Sequence, residues 1–330
     1  MCPYFETEGA TPEEALTGFV EGPRYSTGHA ALRQRIGILS ESHMLKPYED
    51  RVNATFQLQL ATLAAMNEHP LELKEARAKA KTNAATAKGF GFNWALDTTQ
   101  RTTLEWKGYA VEKSKSEVTG LERIKFDHAR PQTTTVPWLD RAKPELYFDK
   151  PTAYLVPQEW HEVIDRLRLD GVPMSQATFA ILDSAEVYRI KHFETTAAPY
   201  EGHYLHHSIE TQMAKEEVTI QPGDWVIPMG SATDRLVMEV LEPKCADSFF
   251  AWGFFDSILQ QKEWFSDYVF EDIAAELLSK DPALRSALEA ERAKDPAFAK
   301  DAWAQLYFVY QRSPYFEPNY RRYPVVRLFE

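Results

Sequence analysis

Residues 36–39, Ile-Gly-Ile-Leu, form a short apolar run that turns polar at Ser40-Glu41-Ser42-His43. A run of this length with polar flanks predicts a buried strand whose carboxyl end opens into a cleft. Beyond Lys46-Pro47-Tyr48, the residues Val52, Phe56, Leu60, Leu63 and Ala64 recur at helical spacing, which predicts an amphipathic helix over 51–67. Residues 70–88 are rich in Ala, Lys and Glu and are followed by Gly89-Phe90-Gly91, so they read as a second helix. Strand, loop and helix in that order is the grammar of an α/β layer. Upstream, Thr11-Pro12-Glu13-Glu14 supplies a cap, a first-turn Pro and an acidic first turn, which predicts a short helix over 11–19.

From residue 89 the pattern shifts to short, β-branched and aromatic segments bounded by turn residues. Strands are predicted over 94–97, 102–111, 122–126, 178–193, 218–220, 225–228 and 235–241, with one helix inserted at 158–169. Gln221-Pro222-Gly223-Asp224 is the clearest turn, with Pro ahead of a Gly that tolerates positive φ. Residues 254–280 read as helical in one or two pieces. Asp281-Pro282 and Asp295-Pro296 each place a capping Asp before a first-turn Pro and predict two more helices. Residues 313–330 are aromatic and Pro-rich and read as an extended tail. The fold class is therefore mixed α and β in three parts: an α/β remnant over 1–88, a β-rich domain over 89–245 and a helical C-terminal region over 246–330.

Composition narrows the function classes. With 44% hydrophobic residues, 13% aromatic residues and eight Trp, the 330-residue chain has the apolar surface to fold around ordinary cores. Its net charge of −12, without a compensating basic block, argues against nucleic acid as a partner. The two cysteines, Cys2 and Cys245, supply neither a disulfide framework nor a Cys-based zinc site, although a single bridge between them is compatible with the count. No apolar run approaches the roughly 20 residues that span a bilayer. Glu6, Glu8, Glu13 and Glu14 stand where an export signal would place Lys or Arg before an apolar core.

The sharpest candidate chemistry is at Glu41 and His43, which on a strand would project to the same face. That setting suits a general base with a polar neighbour. The competing reading pairs Glu41 with Arg33 or Arg35 and uses His43 to cap the loop. His-x-x-Glu occurs at His69–Glu72 and at His207–Glu210, but nine His in an acidic chain produce about one such match by chance. His203, His206 and His207 lie near Glu201 and Glu210, either as an adventitious metal cluster or as a solvated loop. Asp247-Ser248 followed by the aromatic run 249–255 reads as core packing or as a platform for peptide or sugar. Phosphate loops and the Gly-x-Ser-x-Gly elbow are absent from the sequence.

The run from Gly22-Pro23-Arg24-Tyr25-Ser26-Thr27-Gly28 to Arg33, with Leu39-Ser40-Glu41-Ser42-His43 through Tyr48 and Arg51-Val52, resembles the end of the catalytic domain of zinc metallocarboxypeptidases of the carboxypeptidase A type. Tyr154-Leu155-Val156-Pro157, Pro199-Tyr200-Glu201-Gly202, Leu241-Glu242-Pro243, Trp252-Gly253-Phe254-Phe255 and Arg312-Ser313-Pro314 are similar to bacterial members with an extra C-terminal region. The resemblance implies hydrolysis of C-terminal peptide bonds, a peptide substrate, a zinc cofactor, Glu41 as general base, and a substrate-pocket loop at Arg24, Tyr25 and Ser26.

The family's zinc ligands precede its catalytic Glu, whereas here only 40 residues precede Glu41 and the sole His among them is His29. No metal-ligand role is carried onto either His-x-x-Glu. The expectation is a chain truncated at its N-terminus and inactive alone, with a compartment that its own start does not reveal. The alternative is a non-enzymatic module that binds peptide or cell-wall material, with Glu41 as a vestige.

Overall fold

The computed structural model describes residues 4–329 and is a mixed α and β structure. Cys2, with its candidate bridge, lies outside these residues, and Cys245 is fully buried. The described chain opens with β1 (Phe5–Thr7) and β2 (Leu16–Gly18), then α1 (Ser26–Leu32), α2 (Tyr48–Glu68) and α3 (Pro70–Thr86). Strands β3 (Gly89–Leu96), β4 (Thr102–Lys115), β5 (Glu122–Leu139), β6 (Ala142–Asp149) and β7 (Ala153–Val156) precede α4 (His161–Leu169). Next come β8 (Ser175–Gln176), β9 (Ala180–Thr195), β10 (His206–Ile220), β11 (Trp225–Pro228) and α5 (Asp234–Leu241). Helices α6 (Asp267–Lys280), α7 (Pro282–Lys294) and α8 (Ala302–Tyr310) lead to β12 (Arg322–Leu328).

A six-stranded sheet of order β10-β9-β12-β7-β11-β8 carries the main core, with its pairings antiparallel. The tail segment therefore enters the middle of this sheet, where Val326 pairs with both Leu155 and Val187. Tyr154, Ile190, Ile227, Phe250, Phe255 and Tyr323 fill the core on one face together with α4 and α5. β4 and β5 form a long hairpin that takes up β1 and β2, and β3 pairs with β6. Helices α6, α7 and α8 enclose a separate aromatic cluster around Phe270, Leu288 and Tyr310.

The turn at Gln221–Asp224 forms as predicted: Gly223 has φ +103°, and the Asp224 amide donates to the Gln221 carbonyl. Asp281 caps α7 through the amides of Ala283 and Leu284. The parallel signal at Asp295 produces a single turn, and the next helix starts at Asp301, whose side chain accepts from Ala304 N.

Three further predicted elements differ. Residues 36–39 form no strand; Ile36, Ile38 and Leu39 are exposed. A buried strand needs ladder partners and covered faces, and this segment has neither among the described residues. The helix predicted over 11–19 is a turn followed by β2, where Leu16 and Thr17 pair alongside Trp138 and Leu139 and gain burial that one isolated helical turn does not supply. Residues 235–241 are helical, and Asp234, which accepts from the amides of Gly230 and Ser231, fixes the turn that leads into α5. Leu236, Val237, Met238 and Leu241 are then buried by packing that overrides the β preference of valine.

Helix α2 is exposed along its length, including Val52, Phe56, Leu60 and Leu63, the stripe that defines its amphipathic pattern. No helix of the described residues is long and apolar enough to cross a membrane.

Candidate functional site

The loop that carries Arg24 is pinned from several sides. Arg24 Nε donates to Asp247 Oδ1 at 2.7 Å and its backbone N–H to Oδ2 at 3.2 Å, while Trp252 Nε1 donates to Oδ1 at 3.1 Å. The Arg24 guanidinium also lies 5.5 Å and 5.4 Å from the ring centres of Tyr200 and Trp252. Arg24 therefore spends its charge within the protein. Tyr25 is exposed and packs edge-on to Phe19, and Ser26 is an exposed first residue of α1. The loop closes tightly on itself, since a Cβ at Gly28 would meet the carbonyl oxygen of Gly22 at 2.1 Å. Gly28→Ala is expected to displace the loop at a cost of about 1–3 kcal/mol. A lower thermal midpoint and faster proteolysis within residues 20–47 would report it.

Glu41 is exposed in the irregular segment after α1 and forms no hydrogen bond or ion pair among the described residues. His43 is turned to its own backbone, with Nδ1 accepting from Leu45 N at 3.2 Å. The structure therefore brings Arg24 together with Asp247, Tyr200 and Trp252, and leaves Glu41 apart from that group.

The other sequence candidates have structural partners. His206 is buried, with Nδ1 2.9 Å from Thr195 Oγ1 and Nε2 2.9 Å from Asp256 Oδ1. His203 Nδ1 is 3.1 Å from the Trp252 carbonyl, and His207 faces Glu194 rather than Glu210. His69 joins α2 to α3 and meets Glu72 at 3.3 Å. Among the described residues no three His, Cys, Asp or Glu side chains converge to hold a metal ion. Phe249, Phe250 and Phe255 of the aromatic run are core residues.

The chain is similar in part to carboxypeptidases. It is 24% identical over 147 residues to carboxypeptidase 2 of Trichophyton rubrum, covering 44% of this chain and 26% of that protein. It is 25% identical over 128 residues to carboxypeptidase 2 of Trichophyton equinum, covering 39% of this chain and 23% of that one. Over 122 residues it is 22% identical to a probable carboxypeptidase 2 of Arthroderma benhamiae, covering 37% and 22%. The chain thus spans about a quarter of the length of the curated relatives it matches. No family model and no solved structure matches it.

A second group of residues was not evident from sequence. Arg235 and Glu239 sit one turn apart on α5 and line a cavity of about 340 Å³ between α5, β3 and the pinned loop. Asn93 frames it: its side chain donates to the Lys244 carbonyl at 3.0 Å and accepts from Ala246 N at 2.9 Å. Glu239 is 4% exposed, and burial pushes its carboxyl up to about 7, against the pull of Arg235 and with a further push from Asp247. The signal for this pair was the four-residue spacing of Arg235 and Glu239, which also puts them on one face of a strand and so did not separate the two structures.

Deeper in the core, the same α5 segment ends at Glu242, fully buried and hydrogen-bonded by Tyr154 Oη. Arg327 Nε lies 3.0 Å from Glu242 Oε1, a contact of charges whose angle is not that of a hydrogen bond. The Arg327 Nη atoms instead donate to Glu186 Oε2 at 2.7 Å and to the Asp149 carbonyl at 2.8 Å.

Proposed function

We propose that this chain works within a carboxypeptidase-like peptidase, with residues 22–68 completing a catalytic layer and residues 89–329 forming an accessory region beside it. The observation that carries this reading is where the apolar surface is left uncovered. Ile36, Ile38, Leu39, Phe56 and Leu63 are all exposed, and they fall in the same stretch whose residues resemble the end of a carboxypeptidase catalytic domain. Surface of that kind is costly in water and marks a face made to be packed. The partial similarity to fungal carboxypeptidases supports a peptidase role in general terms.

In this reading the substrate is the C-terminal peptide bond. Water attacks the carbonyl carbon, Glu41 accepts the proton of that water and passes it to the leaving amine, and the C–N bond breaks. The described residues do not fit a zinc site of their own, since no donor set converges near Glu41.

The test compares hydrolysis of an N-blocked dipeptide by this chain alone and by the longest translation product of its gene. The chain alone is expected to show background rates without stoichiometric zinc. The longer product is expected to hydrolyse the dipeptide and to lose at least ~10²-fold in kcat on Glu41→Gln. Stoichiometric zinc and Glu41-dependent hydrolysis by the chain alone would overturn the division of labour proposed here. A second reading, a non-enzymatic module for peptide or cell-wall material, is favoured by the locking of Arg24 onto Asp247, which makes the pinned loop a strut. Hydrolysis absent from every form of the protein would favour it, whereas hydrolysis unaffected by Glu41→Gln would remove Glu41 from the role of general base.

A further inference from the structure

The cavity beside α5 holds charges that the fold leaves unspent. Glu239 is more than nine-tenths buried and lines the cavity, yet it accepts no hydrogen bond and forms no ion pair among the described residues. Glu21, across the cavity, has a buried Oε2 without a hydrogen-bond partner. Arg235 lines the same space; among the described residues it donates only to the Gly91 carbonyl at 3.3 Å, and its guanidinium lies 5.9 Å and 5.5 Å from the ring centres of Phe90 and Trp94. Arg235 and Glu239 are four residues apart on one helix, the spacing at which opposite charges commonly pair, and they do not pair with each other. Burying an acid without a partner costs several kcal/mol, which a fold retains where a ligand supplies the missing contact. Asp247, by contrast, is satisfied by Arg24 and Trp252.

We propose that this cavity binds a free α-amino acid as its zwitterion, with the ammonium held by Glu239 and Glu21 and the carboxylate held by Arg235. Of the other lining side chains Asn93 and Asp247 are bonded within the protein, and Leu32, Ala31 and Pro23 together with Trp94 are apolar, so the side chain it takes is aliphatic or aromatic. About 340 Å³ lies at the small end of ligand pockets, which suits one residue rather than a long peptide. Arg presents a planar fork to a carboxylate, and Glu accepts from an ammonium through charge-assisted bonds, so the two ends are distinguished. The site is built from α5, β3 and the pinned loop and does not depend on Glu41 or on the peptidase reading.

Titration calorimetry of the whole chain with L-leucine, N-acetyl-L-leucine and L-leucinamide near neutral pH tests this, because the last two each delete one charge. L-Leucine is expected to bind saturably, and each analogue to bind at least ~10-fold more weakly, the equivalent of about 1.4 kcal/mol. Glu239→Gln and Arg235→Met are each expected to cost a similar factor for L-leucine, with circular dichroism and thermal midpoint showing that both variants fold. Equal binding of all three compounds would overturn the proposal, as would L-leucine affinity unchanged in the folded Glu239→Gln variant. So would absence of saturable binding up to about 10 mM, beyond the ~1 mM range of a weak specific site.

Discussion

Arg327→Met is expected to destabilise the protein by about 3–5 kcal/mol near pH 8, the cost of removing one partner from a buried charge pair. The arginine is 7% exposed and ties together Glu186, the Asp149 carbonyl and the buried carboxylate of Glu242. Methionine fills much of the same volume, so the loss would come from charge and hydrogen bonds more than from a cavity. Burial already pushes Glu242 above the usual carboxylate range, and the Arg327 charge pulls it back most strongly, helped by hydrogen bonds from Tyr154 and Tyr188. Without the arginine, Glu242 would take up a proton at higher pH than before. A folded state that holds a proton the unfolded chain has released loses stability as pH rises through that window. The deficit of Arg327→Met should therefore be largest near pH 8, shrink as pH falls through the window in which the folded Glu242 takes up its proton, and reach its minimum by about pH 4.5, where the unfolded glutamate is protonated too. Urea unfolding of both proteins across that range reads it directly, and a deficit independent of pH would contradict the assignment to Glu242.

Glu239→Gln is expected to act in the opposite direction. The carboxyl rests at about 7 in the fold against 4.5 in a free chain, because burial outweighs the attraction of Arg235. Below pH 4.5 the folded and unfolded glutamates are both neutral and the group is silent. Between those values the folded state holds the extra proton, so stability falls as pH rises, and above about 7 the accumulated penalty is about 3 kcal/mol. Glutamine keeps the shape and never ionises. The variant should match the parent near pH 4 and exceed it by up to about 3 kcal/mol near pH 8, read from the urea midpoint. An advantage already present near pH 4 would show that something other than ionisation is responsible. This stabilised variant also separates ligand loss from unfolding at the α5 cavity.

Periodicity and turn chemistry made much of the fold legible. The helices over 48–68 and 70–86, the turn at Gln221–Asp224, the strand at Trp225–Pro228 and the Asp281 cap all depend on neighbours within a few residues. The errors share a cause, since each turned on contacts far away in the chain. Residues 36–39 have strand composition but no partner to pair with among the described residues. Leu16 joins a strand because Trp138 lies beside it, and residues 235–241 coil because the core already surrounds them. The candidate site divides in the same way. Glu41 and Arg24 stood out through local motifs, and Arg24 proved to be committed to Asp247, 223 residues away. The Arg235 and Glu239 cavity, in contrast, exists only once α5, β3 and the loop before α1 have met.

The position of β12 has a kinetic consequence. It lies between β9 and β7, and Thr152 meets the carbonyl of Leu328 across a separation of 176 residues. The β9–β10 hairpin can zip locally, and β7 can find β11, but the two halves have nothing to join them until the stretch from Arg322 arrives. Closure of so long a loop is slow, and both halves wait with unpaired edges and uncovered apolar faces. On a ribosome the sheet would remain in two pieces while the three helices that precede β12 are made, so a stall or cleavage before residue 322 would release an aggregation-prone intermediate instead of a shortened native protein.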